Sequence, residues 1–286
     1  MKEPGNSKLY VVLLTTFALV AFAANSIICR MALGNAAVDP ASFSSIRLVS
    51  GAVVLWLIVK ATVRDKAEEP QGSWWSAAML FLYAAAFSFA YVSLNAGVGA
   101  LVLFGAVQAT MITAGLIKGE RPPMLVWCGL AIALAGLVYL VLPGISAPSF
   151  FGSALMAVAG FAWGVYSLRG LGSINPVGVT CGNFIRSVPM TAVLSLVLLP
   201  LMQFSWEGVL LAVLSGGLTS GIGYVVWYAA LGHLSATRAA MLQLLVPIIA
   251  AAGGVLLLSE QLTLRLILSS ILIIGGVGLT LKAKQQ

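Results

Sequence analysis

Arg47 and Arg186 each stand about seven to ten residues inside a long apolar run. An arginine at the depth of a bilayer centre costs about 2.5–3.5 kcal/mol on insertion scales, so such a residue turns toward protein or water. Two roles suit it: contact with a substrate carboxylate, or a structural or gating part as a clamp on helix-end carbonyls or a snorkelling anchor. Asn25, Gln108 and Gln243 are amides in apolar surroundings. Each must find a partner there, as a tie between helices or as a wall group of a cavity. Tyr83, Ser88 and Tyr91 share one run, Thr219, Tyr224 and Trp227 share another, and Trp163 stands in a third. Rings interleaved with hydroxyls suit amphipathic, neutral or zwitterionic organic molecules. They do not suit phosphorylated sugars, which need converging Lys and Arg. Trp74, Trp75, Trp127 and Trp206 lie near run ends and read as an interfacial belt.

What is missing narrows the chemistry. Glu3, Asp39, Asp65, Glu68, Glu69, Glu120, Glu207 and Glu260 all fall in loops or at run ends, and the single histidine, His233, closes the eighth run. Zinc motifs, a Gly-x-Ser-x-Gly elbow and a Walker A loop are absent from the sequence, so no enzyme, metal or cofactor is expected. Cys29, Cys128 and Cys181 lack ligand spacing and read as small packing residues.

The elements that must position these groups are ten apolar runs, at about 9–30, 40–60, 74–94, 98–117, 124–142, 151–169, 177–199, 207–231, 236–258 and 263–282. Each is near the ~20 residues that cross a bilayer, and helices are the economical way to satisfy their backbone there. Asp39-Pro40 and Asn175-Pro176 precede the second and seventh runs as an N-cap with proline at the first helical position. Gly160 and Gly164, and Gly217 and Gly221, are small-xxx-small pairs for close helix packing. Pro247 inside the ninth run is expected to kink it.

A shift of about 140 residues lays the chain on itself: Phe22 and Arg30 meet Phe161 and Arg169, Ile46-Arg47 meets Ile185-Arg186, and Glu120 meets Glu260. Residues 1–145 and 146–286 are therefore read as two five-helix repeats of one membrane unit. An odd span count inverts the second copy, which gives an all-α polytopic membrane protein of ten transmembrane helices in two inverted five-helix repeats. Inverted repeats are the architecture of many secondary transporters. The duplication of the two arginines favours their structural role.

The chain is 60% hydrophobic and 8% charged with a net charge of +7, against about 25% charged in soluble domains. Its main solvent is a lipid bilayer. Lys2, Lys8, Lys60, Arg64, Lys66, Lys118, Arg121, Arg169, Arg238, Lys282 and Lys284 gather on one side, leaving Arg30 and Arg265 on the other. That asymmetry puts both termini in the cytoplasm of a bacterial inner membrane and speaks against a nucleic-acid partner. The glycine-rich faces serve a homodimer and a monomer alike.

Lys118-Gly119-Glu120-Arg121-Pro122, echoed by Leu258-Ser259-Glu260-Gln261-Leu262, together with Pro247 and the ten-run layout, resembles the drug/metabolite transporter superfamily and its EamA-type exporters. Val107 stands where the first copy's proline would fall, so that copy is degenerate. Within the family the chain looks most like bacterial aromatic amino-acid exporters. The resemblance implies a cavity lined by spans one, three, four, six, eight and nine, with spans five and ten peripheral. The expectation is export of aromatic or other neutral amino acids and related metabolites by alternating access, as a facilitator or exchanger. Multidrug efflux and a non-transporting scaffold are the alternatives. Trp163→Ala is expected to lower flux and leave folding intact.

Overall fold

The computed structural model describes residues 4–62, 71–117, 119, 123–142, 148–171, 173–234, 239 and 242–283. Lys118, Glu120, Arg121 and Pro122 of the first short motif lie outside them, as do Arg64, Lys66 and Arg238 of the basic loops. The helices are α1 (Pro4–Gly34), α2 (Pro40–Thr62), α3 (Trp74–Tyr91), α4 (Ala96–Ile117), α5 (Met124–Val141), α6 (Phe150–Gly170), α7 (Pro176–Val197), α8 (Trp206–Leu231), α9 (Leu245–Leu258) and α10 (Leu264–Ala283). The only pairing of extended backbone among the described residues is an isolated bridge between Val38 and Phe204.

Small polar caps set where these helices begin. Asp39 Oδ1 accepts from the amides of Ala41 and Ser42 at 3.0 and 2.9 Å, and Asn175 Oδ1 accepts from Gly178 at 2.8 Å. Ser73, Ser149 and Ser205 do the same for α3, α6 and α8. Each cap satisfies a donor that has no partner inside its helix, worth about 1 kcal/mol.

Among the described residues six helices, α1, α2, α3, α4, α6 and α8, are long and apolar enough to cross a membrane. Ten spans were expected, and α7 and α9 have local features that set them apart. α7 has spanning length, but Asn183, Arg186 and Ser187 sit in its middle. Helical Leu242 is followed by a turn at Gln243 and Leu244, and α9 proper begins at Leu245. The break falls four residues before Pro247, whose missing amide leaves the Gln243 carbonyl without its i+4 donor. The Gly217–Gly221 stretch differs as well. It lies in a π-helical segment, Ser215–Ile222, between the α-helical pieces Trp206–Leu214 and Gly223–Leu231 of α8.

The helices pack in matched pairs. α2 lies on α7, α4 on α9, and α5 on α10; α1 packs on α8 as α6 packs on α3, and α1 on α9 as α6 on α4. Adding five to each helix number leaves this pattern unchanged. α2 and α7 run antiparallel, with Ser45 Oγ 2.8 Å from Ser195 Oγ and Gly51 against Phe184. Close approach relies on missing side chains. A Cβ on Gly160 would stand 2.3 Å from the Leu103 carbonyl oxygen of α4, and Gly164 faces Thr110 of the same helix. The α5–α10 pair packs chiefly on itself at the periphery. Leucine, valine, isoleucine and phenylalanine side chains cover much of the outer surface, and Trp74, Trp75, Trp127 and Trp206 are all exposed. A buried polar cluster lies between α1, α2, α3, α6 and α8, with further buried polar residues in α4 and α7.

Candidate functional site

Arg47 is the centre of the buried polar cluster. It lies in α2 and is 0% exposed. Its Nε donates to Ser220 Oγ at 3.0 Å, and its Nη2 donates to Tyr83 Oη at 3.0 Å and Tyr224 Oη at 2.7 Å. The guanidinium carbon sits 5.1 Å from the ring centroids of both Tyr83 and Phe87, so the aromatic faces of α3 solvate part of the charge. Tyr83, Phe87 and Tyr91 recur every four residues and fall on one face of that helix.

Asn25 of α1 joins this cluster to α8. Its Oδ1 accepts from Ser215 Oγ at 2.6 Å and Thr219 Oγ1 at 3.0 Å, and its Nδ2 donates to Tyr83 Oη at 3.4 Å. The π-helical segment explains how α8 can present so many groups together. Its i→i+5 bonding widens each turn, which brings Ser215, Ser220 and Tyr224 toward one side. Tyr224 Oη donates onward to Tyr83 Oη at 3.1 Å.

Aromatic rings wall the remainder. Trp163 of α6 packs on Tyr224 (4.6 Å between centroids), Tyr83 (5.1 Å), Phe22 (5.3 Å) and Tyr166 (5.6 Å). Its indole Nε1 donates to Gln243 Oε1 at 2.8 Å, reaching α9 at the turn that precedes its regular part. Trp227 is fully buried and lies 5.6 Å from Phe22.

Trp163, Tyr224, Asn25, Gln243, Tyr83, Thr219 and Trp227 therefore come together. They touch one another where an open, lined cavity was expected: rings stack on rings, and most polar atoms satisfy each other. Two of the sequence candidates stand apart. Ser88 bonds back to Ala84 of its own helix at 2.8 Å, and Tyr91 reaches the Ala96 carbonyl at 3.2 Å. Gln108 is buried in α4. The two arginines, alike in sequence, separate in role. Arg186 is only partly buried and clamps the carbonyls of Gln71 and Gly182, while Arg47 sits among the aromatic hydroxyls. Phe22, Phe87 and Ser215 were not anticipated. The i, i+4, i+8 aromatic spacing around Phe87 was a usable signal, whereas Ser215 reaches the site through a helix type that residue spacing does not announce.

Both ends of the cluster are closed by arginines. At one end Arg30 of α1 donates to the carbonyls of Tyr91 and Val92 and lies 3.6 Å from the Glu260 carboxylate. Glu260 in turn accepts from the first amide of α4, Ala96, at 2.9 and 3.0 Å through its two oxygens. At the opposite end Arg169 of α6 donates to Ser76 Oγ at 2.8 Å and Ser73 Oγ at 3.3 Å, beside the cap of α3. Cys29 is buried beside Arg30, Cys181 is buried in the first turns of α7 near Asn183, and Cys128 is exposed on α5.

Comparison with known proteins brings four likenesses. Residues 150–282 match the EamA-like transporter family. An uncharacterized protein of Pseudomonas aeruginosa is 47% identical over 269 residues, covering 94% of this chain and 93% of its own. A protein of Escherichia coli, described as a probable amino-acid metabolite efflux pump, is 27% identical over 68% of this chain and 71% of its own. A solved crystal structure shares the fold, with a TM-score of 0.66 at 19% identity over 94% of this chain and 97% of that one.

Proposed function

The chain belongs to the EamA-like transporter family and is a multi-pass membrane protein, and from that premise we propose that it exports neutral amino acids, chiefly aromatic ones, and related small metabolites by alternating access. The observation that carries this reading is the buried cluster of Trp163, Tyr83, Tyr224, Asn25 and Arg47, contributed by five helices of the first half and second half together. Such a cluster offers flat apolar faces for a ring and hydrogen bonds for a polar head. The description of the Escherichia coli relative as an amino-acid metabolite efflux pump agrees with it.

Two inverted five-helix repeats, 1–145 and 146–286, supply the moving parts. The pairing pattern that survives adding five to each helix number supports this, as does the antiparallel α2–α7 pair. The Arg30–Glu260 end and the Arg169–Ser73 end then serve as the two closures, opened in turn. The basic-residue asymmetry places the Arg169 end toward the cytoplasm of a bacterial inner membrane. No carboxylate among the described residues sits in the cluster, so downhill transport or exchange fits better than proton antiport.

Purified protein in liposomes should carry labelled phenylalanine and tryptophan without a pH gradient. Absence of flux for these and for threonine, with and without a gradient and with the protein shown folded, sinks the amino-acid assignment.

A further inference from the structure

The cluster around Arg47 holds more donors than acceptors. A guanidinium carries five N–H groups, accepts nothing, and stays charged in proteins. Nε and Nη2 are used by Ser220, Tyr83 and Tyr224, but Nη1 is fully buried with no hydrogen-bond partner among the described residues. The indole Nε1 of Trp227 is buried and finds none among them either. Meanwhile three donors, Arg47 Nη2, Asn25 Nδ2 and Tyr224 Oη, converge on the single oxygen of Tyr83. The side-chain oxygen of Asn25 is already taken by Ser215 and Thr219.

The surplus includes a full charge. Among the described residues no carboxylate pairs with Arg47. Glu260 is engaged by Arg30 and the Ala96 amide, and Asp39 spends its two oxygens on the amides of Ala41, Ser42 and Gln203. A buried cation without an anion is among the costlier features a fold can keep, so its retention at this position calls for a partner that arrives from outside.

We propose that Arg47 receives the carboxylate of the transported molecule, and that the carboxylate, not an ammonium group, is what the site selects. This rests on the reading of the cluster as the transport site. The free Nη1 offers one limb of the planar fork that grips a carboxylate, and the hydroxyls of Tyr83 and Tyr224 stand at the neighbouring Nη2. Phe22 and Trp163 supply apolar faces for the rest of the molecule. An ammonium finds no carboxylate in the cluster. The substrate class is therefore aromatic and apolar monocarboxylates, with the amino group dispensable.

The test starts from the wild-type protein in liposomes, loaded to carry labelled phenylalanine, and four unlabelled competitors: phenylalanine, 3-phenylpropionate, phenylalaninamide and phenethylamine. Thermal unfolding of the purified protein with each compound gives an independent readout. The expected result is that 3-phenylpropionate competes within about threefold of phenylalanine, while the amide and the amine are weaker by about tenfold or more. The opposite ranking, with the amide effective and 3-phenylpropionate inert, overturns the carboxylate proposal and leaves amino-acid transport standing. No flux and no stabilisation by any of the four overturns both. A folded Arg47→Lys protein keeps the charge and loses the fork. It should lose about tenfold in affinity for the two carboxylates and little for the amide. Unchanged carboxylate affinity in that protein would also overturn the proposal.

Discussion

Trp163 ties three parts of the site together: its indole proton goes to Gln243, and its ring lies against α1, α3 and α8. With 2% exposure and four ring neighbours, it is part of the core as well as of the site. Truncation to alanine removes packing worth about 3–5 kcal/mol, so the expectation that Trp163→Ala leaves folding intact does not fit its surroundings. Trp163→Phe is the cleaner change. It keeps a ring and leaves Gln243 Oε1 without its donor, a loss of about 1–3 kcal/mol. Phenylalanine flux should fall about tenfold with the unfolding midpoint lowered by only a few degrees. Unchanged flux in that protein would take the indole out of the site. Much at this scale was legible. Asn25, Tyr83, Trp163, Tyr224 and Gln243 are polar or amphipathic groups in apolar runs, and burial forces such groups to meet. The division of labour between Arg47 and Arg186 was not, because matching positions in a repeat say nothing about which neighbours each one meets.

Among the elements, α8 is the unusual one. Its π-helical stretch carries Ser215, Thr219 and Ser220 to Asn25 and Arg47, and it lets Gly216 press on α2. A Cβ at Gly216 would stand 2.0 Å from the Arg47 carbonyl oxygen, which belongs to helix backbone and has little room to yield. Gly216→Val should therefore push α2 and α8 apart, costing about 1–3 kcal/mol or more. Lower thermal stability together with lost flux is expected, measured on the same detergent-solubilised and reconstituted samples. Retention of both would mean that the contact gives way easily. The glycines announced close packing in the sequence, and the caps Asp39 and Asn175 announced two helix starts. The widened turns went unseen because no residue pattern distinguishes them from an α-helix, whereas Pro247 marked the stretch where the turn at Gln243 and Leu244 interrupts the ninth run.

On the scale of the whole molecule, α2, α4 and α5 pack on the helices five places on, and the other pairings keep the same shift. A sequence that meets itself about 140 residues later pointed to such a correspondence, because Arg47 and Arg186, or Glu120 and Glu260, are rare residue types in so apolar a chain. Which halves touch, and how closely the core is filled, was beyond it. Interdigitated packing depends on side-chain shapes from distant runs, and the closed aromatic cluster arises only when α1, α3, α6 and α8 are brought together.

The two ends are held by different bonds, and each has its own thiol. Cys29 is shielded beside the Arg30–Glu260 pair, and Cys181 lies on the Arg169 side, where α7 begins. Under the proposed alternating access, the native cysteines would report on the two ends. Their rates of alkylation should then move in opposite phase, so a compound that speeds one slows the other. Glu260→Gln weakens only the first latch and should raise Cys29 alkylation several-fold while Cys181 stays protected, about what the loss of a partly exposed ion pair allows. Cys128, exposed on α5, serves as the internal reference. Two thiols rising together would mean a protein that breathes or unfolds, and not one that rocks.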